Sequence, residues 1–283
     1  MDRIIDESWL RPRLLGRENE SHKGNYGHVL IVAGCESMPG AAVLATGAAL
    51  RSGCGLVTLH STPRALQAAV NNYPSAMLSE AGEKVLSRLP DMGRYNAIVV
   101  GPGLGRAPET RKELLNLLMA AIGYCIPIVI DADALNILSE VPHHEEFIPE
   151  NAILTPHLGE LQRLLPGSFE LMRMLTVEEL CESRGCILIQ KGFHTKVHTP
   201  SGDCLVNSTG NPGMAKGGSG DVLAGLLGGL LARGYSSGDA AALGVWLHGC
   251  AGDILAAERT PEAFHSHDLI DALPAAFRQL YEM

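Results

Sequence analysis

The chain has 283 residues, 46% hydrophobic and 19% charged, with a formal net charge of −9. That balance predicts a globular protein with a sizeable core, built as one large α/β domain or two small ones. It argues against nucleic acid or an acidic membrane surface as partner, but leaves anionic ligands open, because backbone N–H groups bind anions without net positive charge.

The seven cysteines are odd in number and show no Cys-x-x-Cys spacing, which predicts buried free thiols in a reducing compartment. The amino-terminal MDRIIDESWLRPR is charged and lacks the apolar core of a signal peptide. The longest strongly apolar run, 222–232, has 11 residues, too few to span a bilayer. The expectation is a cytoplasmic protein with no membrane partner.

Residues 1–27 read as a polar arm anchored by Trp9 and Leu14. HVLIVA, 28–33, is a short β-branched run suited to a buried parallel strand. The alanine-rich stretch 40–53 predicts a helix thin enough to lie close to a sheet, ended by Gly53 or Gly55, and 56–59 predicts the next strand. The alternation continues with a strand at 97–100, a helix at 109–121, a strand at 126–130 and a strand at 152–154 leading into a helix to about 165. A helix at 176–183, a strand at 186–190 and a hairpin of 195–198 with 204–207 follow. Helices are expected at 237–259 and 268–281, the second broken near Pro274. No linker or repeat interrupts residues 1–283, so the prediction is one doubly wound α/β domain with a mainly parallel sheet and helices on both faces.

Unusual sequences follow several strands, where ligands bind in open α/β sheets. GPGLG, 101–105, reads as a wall whose backbone touches a ligand, through Gly103 and Gly105, or as an ordinary turn. In DADALN, Asp131 and Asp133 suit either a magnesium-bound phosphate reached through water or the cap of the next helix, and Asn136 is undecided. In TPHLGE, Thr155 reads as an N-cap, Pro156 as the first helical residue and His157 as a first-turn residue facing the cleft. KGFHT, 191–195, reads as a ligand-contacting link or as a surface hairpin with a solvated lysine. His143, His144, His265 and His267 lack zinc-site spacing, as do Cys181 and Cys186, and no metal-ligand set is expected.

The strongest signal is 207–233, NSTGNPGMAKGGSGDVLAGLLGGLLAR. Clustered glycines running into an apolar helix make an anion site, because glycine lets backbone approach a ligand and the first helical N–H groups lack intrahelical partners. Asp221 falls at the helix start, beside any bound phosphate. This is no Walker loop, since Lys216 is followed by Gly217, and no strand feeds it as in a dinucleotide fingerprint.

GNPGMAKGGSGDVLAG closely resembles the signature of the ADP/ATP-dependent NAD(P)H-hydrate dehydratases, a branch of the ribokinase-like superfamily. TPHLGE, KGFHT, KGNYGHVLIVAG and Pro39-Gly40-Ala41-Ala42 also match, so the resemblance extends from about Lys23 to Leu280. One residue departs: the family usually has Thr where this chain has Lys216, which is expected to add positive charge beside the phosphates. The resemblance implies that Asp221 is the catalytic base and that Gly217, Gly218, Ser219 and Gly220 form the anion hole. It implies that Lys191, Gly192, Phe193, His194, Thr195 and Asn211 complete the nucleotide site. Ala41, Ala42, Gly103, Gly105, His157 and Asp221 would bind the hydrated dinucleotide.

The implied activity is ADP-dependent dehydration of the S epimer of hydrated NADH or NADPH, releasing AMP and phosphate, with Mg²⁺ as cofactor and ADP or ATP as co-substrate. An NAD(P)H-hydrate epimerase would be the functional partner, no epimerase domain being expected within these residues, and a homo-oligomer, a tetramer in the family, would be the working form. The alternatives are a small-molecule kinase of the hydroxymethylpyrimidine or hydroxyethylthiazole type, or a nucleotide-binding regulator without turnover, against which Asp221 counts.

Overall fold

A computed structural model describes residues 3–165 and 176–281; the first two residues of the expected arm lie outside that range. Ten strands form one sheet: β1 Arg3–Ile5, β2 His28–Val32, β3 Leu56–Ser61, β4 Met77–Glu80, β5 Ala97–Val100, β6 Ile128–Ile130, β7 Ile153–Leu154, β8 Ile187–Gln190, β9 Lys196–His198 and β10 Cys204–Asn207. Their order is β1-β10-β9-β8-β7-β6-β5-β2-β3-β4. Only the β9 pairings with β8 and β10 are antiparallel among the described residues.

The helices are α1 Glu7–Leu10, α2 Pro39–Arg51, α3 Pro63–Asn72, α4 Pro108–Tyr124, α5 Ala132–Leu138, α6 Leu158–Leu164, α7 Val177–Arg184, α8 Ser219–Ala232, α9 Ser237–Glu258 and α10 Ser266–Tyr281. Strand side chains alternate between two cores. Val29, Ile31 and Val99 join one with α2, α3, α8, α9 and α10, while Leu30, Val32 and Ile98 join the other with α4, α5, α6 and α7. Each fully buried aliphatic side chain contributes roughly 1.5–3 kcal/mol of transfer free energy. Burial on both faces is why the strands are continuous apolar runs rather than alternating ones.

The chain leaves β2 toward β3 and β4, then returns past β2 to β5 and proceeds the other way. Two loops therefore part at the carboxyl ends of β2 and β5, and that switch point opens a crevice. Beside it, α8 lies pressed between α2 and the sheet. A Cβ on Gly225 would overlap the Ala45 carbonyl, and one on Gly228 would overlap the Val99 side chain. The small residues of α2 and α8 are what allow this approach.

Several sequence expectations change. The arm adds β1, parallel to β10, with Ile5 and Leu10 fully buried, because the apolar anchors reach an otherwise open sheet edge. The α3 helix and β4 strand were not anticipated. Pro274 does not break α10, since it sits on the exposed face while Ile270, Leu273 and Ala276 bury the other. The α9 helix is long and apolar enough to cross a membrane, unlike the 11-residue run, but 72% of its apolar window is buried in the fold, as in a core helix. None of the seven cysteines is in a disulfide among the described residues, but Cys125 is exposed and Cys54 and Cys204 are half-buried rather than buried.

Candidate functional site

α8 and α2 both open on the crevice without a side-chain cap. At α8 the N-cap position is Gly218, with φ +91, a backbone conformation that costs an L side chain about 1–2 kcal/mol. The Ser219 N–H turns back to the Lys216 carbonyl at 3.4 Å and the Val222 N–H bonds to Gly218 O. The N–H groups of Gly220 and Asp221 are thus left without an intrahelical acceptor, at the positive end of the helix dipole. At α2 the N-cap is Met38, with Pro39 as the first helical residue, so Gly40 and Ala41 present N–H groups in the same way.

The α8 side is charged. Lys191, at the end of β8, donates to Asp131 Oδ1 at 2.7 Å and lies 3.7 Å from Glu160 Oε2. Its side chain is 20% exposed, so the solvated-lysine reading of KGFHT fails. Burial lowers the lysine pKa, but Asp131 and Glu160 outweigh it and the net shift is upward. Asp131 is completely buried; Oδ1 also accepts from the Thr155 hydroxyl at 2.7 Å, and Oδ2 has no partner. Gly220 borders this pair, since a Cβ there would come 3.3 Å from Lys191 Nζ and 3.9 Å from Asp131 Oδ2. Asp221 is pushed up to about 7 by burial first and by Asp131, with Lys191 opposing and Asp133 adding to the rise. A carboxyl with that pKa is poised to exchange a proton near neutrality.

Capping differs from expectation. Asp131 sits at the N-cap position of α5 without capping it, because both Oδ1 partners draw it toward β7 and β8. Thr155 is not the N-cap of α6; its hydroxyl is taken by Asp131. His157 caps instead, with Nδ1 accepting from the Gly159 and Glu160 N–H groups, and Glu160 closing a capping box on the His157 N–H. His157 Nε2 lies 3.5 Å from Glu160 Oε1 with the ring 55% exposed. Asn136 accepts from Arg163 at 3.0 Å and ties α5 to α6.

The α2 side is bare. Gly103 has φ +56, and a Cβ on it would come 2.6 Å from Ala41 Cβ and 3.0 Å from Met38 O. Ala42 is fully buried, so only its backbone is available, whereas Ala41 is partly open. The Gly105 N–H is bound to Asp133 Oδ2 at 2.8 Å, which fixes the loop and leaves Asp133 no role as a helix cap.

In the β8–β9 link, Thr195 closes the turn by donating to Gly192 O at 3.0 Å. Phe193 is 81% exposed with its ring 3.9 Å from that of His194. Asn211 is engaged inside the glycine loop, with Oδ1 accepting from Gly213 N and Nδ2 donating to Asp253. Lys216 is turned away from the crevice, so its charge does not stand beside a phosphate; Nζ bonds to the carbonyls of Pro261, Glu262 and Phe264. Among the described residues no group of three His, Cys, Asp or Glu side chains forms a metal site.

Sequence reasoning missed three residues. Glu160 carried a signal, standing three residues after His157 as in a capping box. Asp253 and His248 carried none. His248 lies behind the glycine loop with Nε2 3.0 Å from Ser219 O, and burial pulls it down to about 4, so the ring is neutral there.

A family model described as NAD(P)H-hydrate dehydratase matches residues 29–275. The bifunctional NAD(P)H-hydrate repair enzyme of Moorella thermoacetica is 38% identical over 99% of this chain and 54% of its own length. The chain therefore spans about half the length of the bifunctional relatives it matches. The ADP-dependent (S)-NAD(P)H-hydrate dehydratase of Bacillus subtilis is 33% identical, covering 96% of this chain and 97% of that protein. The crystal structure of the B. subtilis ADP/ATP-dependent NAD(P)H-hydrate dehydratase, co-crystallised with ATP and Mg²⁺, superposes with a TM-score of 0.81 at 29% identity, covering 99% of both chains.

Proposed function

The chain belongs to the NAD(P)H-hydrate dehydratase family and has a ribokinase-like fold, and from that premise we propose that it dehydrates the S epimer of hydrated NADH and NADPH with ADP as co-substrate, releasing AMP and phosphate. The observation that carries the assignment of roles is Asp221, with its pKa near 7, at the uncapped start of α8 beside Lys191.

Hydroxide leaves a ring carbon poorly and phosphate leaves well. Asp221 accepts the proton of the ring hydroxyl as that oxygen attacks the terminal phosphorus of ADP, breaking the bond to AMP. The Gly220 and Asp221 N–H groups and the Lys191 ammonium stabilise the charge on the transferring phosphoryl group. The ring nitrogen lone pair then expels phosphate, the adjacent ring carbon gives up a proton, and the dihydronicotinamide is restored. Gly103 and the start of α2 supply backbone for the dinucleotide, and His157 flanks it from α6. The exposed ring of Phe193 offers a face for adenine.

Magnesium fits as a visitor rather than a resident. The unpartnered Asp131 Oδ2 is an acceptor suited to a water of a phosphate-bound Mg²⁺, an ion that keeps several waters and neutralises phosphate charge. Asp133 is spent on Gly105, so Asp131 alone fills that role. The free thiols support a cytoplasmic setting, and exposed Met77 and Leu78 on edge strand β4 support a homo-oligomer. A separate epimerase is the proposed functional partner, supported by the bifunctional relatives.

The test supplies hydrated NADH, ADP and Mg²⁺ and follows absorbance at the NADH band with phosphate release. Recovery of NADH only when ADP or ATP is present, with phosphate in step, is expected. A stable phosphorylated product without NADH would instead establish a kinase.

A further inference from the structure

The one departure from the family signature has a precise structural setting. The Lys216 ammonium has three N–H donors and meets three main-chain acceptors, the carbonyls of Pro261 at 2.9 Å, Glu262 at 3.1 Å and Phe264. It also lies 4.5 Å from the centre of the buried Phe264 ring. All three carbonyls belong to the turn between α9 and α10. A cage of carbonyl dipoles around a cation is the arrangement by which proteins hold small monovalent cations, and here the cation is tethered to the chain.

The cage matters because of what it touches. Lys216 immediately precedes Gly217 and Gly218, which aim the first N–H groups of α8. Gly217 has open space around its Cβ direction, so no packing of its own fixes the loop there. The same turn approaches the loop at two further points. A Cβ on Gly213 would come 2.5 Å from Pro261 O, and the Ser266 hydroxyl donates to Gly217 O at 2.7 Å. Glycines cannot hold themselves in one conformation; the turn holds them, and Lys216 supplies three of its polar attachments. Threonine at this position has one hydroxyl on a short side chain and cannot span three carbonyls.

We propose that Lys216 is a positioning residue, a tethered ammonium that binds the 261–264 carbonyl cage and thereby sets the orientation of the anion-binding loop, and that its removal leaves a cage able to take a free ammonium ion. The effects on turnover and ADP binding rest on the dehydratase reading; the effect on thermal stability does not.

The experiment compares wild type and Lys216→Met in ammonium chloride or tetramethylammonium chloride at equal ionic strength. In Lys216→Met, kcat falls about tenfold, less than the loss of an oxyanion donor itself, ADP affinity weakens and the KM for hydrated NADH changes little. Ammonium restores kcat and ADP affinity in a saturable way and raises the thermal midpoint of the variant, while tetramethylammonium, which has no N–H, does neither. Wild type responds to neither salt. Lys216→Thr, read by thermal midpoint and ADP calorimetry, serves if the methionine variant does not fold. Wild-type values without ammonium, or losses that both salts restore equally, would overturn the proposal. An inactive wild type would overturn the dehydratase reading and leave the clamp to be decided by thermal midpoint.

Discussion

The uncapped starts of α8 and α2, which both face the crevice, carry opposite surroundings. Around α8 stand Asp221, Lys191, Asp131 and Glu160; burial and Asp131 raise Asp221, and Asp131 and Glu160 raise Lys191 against its burial. Around α2 stand Ala41, Ala42 and Gly103, with no ionisable side chain among them and little bulk. Both ends offer free N–H groups, so helix polarity alone does not separate them. The proposed roles account for the difference: a group transfer needs protons and charge moved at one atom, whereas holding a planar ring needs a surface from which side chains have been removed. One wall is defined by what its residues carry, the other by what they lack.

The sharpest way to break this division is Asp221→Asn. As the base, Asp221 is expected to cost on the order of 10²–10⁴-fold in kcat when it can no longer take a proton, with ADP affinity unchanged or higher as a negative charge is lost. A variant that keeps more than about a tenth of wild-type kcat would falsify the base assignment. Stability supplies a second readout. The folded pKa near 7 stands above the ordinary aspartate value of 3.8, so between those values the folded protein keeps a proton the unfolded chain has lost. Stability therefore falls as pH rises through that window, and the cost of the buried charge is fully present above it. Asp221→Asn is expected to melt higher than wild type at pH 8, with the gap closing toward pH 4. No gap at pH 8 would count against the raised pKa.

On the bare wall, Gly103→Val adds a branched side chain at φ +56, where even a Cβ crowds Ala41. Binding of hydrated NADH is expected to weaken about tenfold or more while ADP binding holds, after a loss of roughly 1–2 kcal/mol in stability from the left-handed backbone. Calorimetry with each ligand decides it; equal loss for both would merge the two walls into one site.

Asp131→Asn sharpens the charged wall instead. Removing the carboxylate that raises Asp221 is expected to move the acid limb of the kcat/KM profile below its wild-type position near pH 7. An unmoved limb in a variant that still turns over would mean that Asp131 acts only on Lys191.

The smallest effect is expected at His157→Ala. Loss of the α6 N-cap costs about 1 kcal/mol in thermal stability, and affinity for hydrated NADH drops more than affinity for ADP. Titrating the variant with both ligands checks this, and a loss confined to stability would make His157 a cap alone.

The sequence by itself carried the parallel sheet, the strand-end loops and the glycine loop with Asp221. These are local properties: unbroken apolar runs are needed wherever both strand faces are covered, and a backbone at φ +91, as at Gly218, favours glycine. The direction in which polar side chains point was decided only by the tertiary structure. Thr155 looked like a cap until β6 brought Asp131 to its hydroxyl, and His157 took the cap in its place. Lys216 reads in the sequence as added positive charge beside the phosphates, whereas the turn before α10 sets three carbonyls around it, 45 to 48 residues further along the chain. A buried hydrogen-bonding group takes the partner that folding places beside it, and a partner tens of residues away leaves no trace in the local pattern.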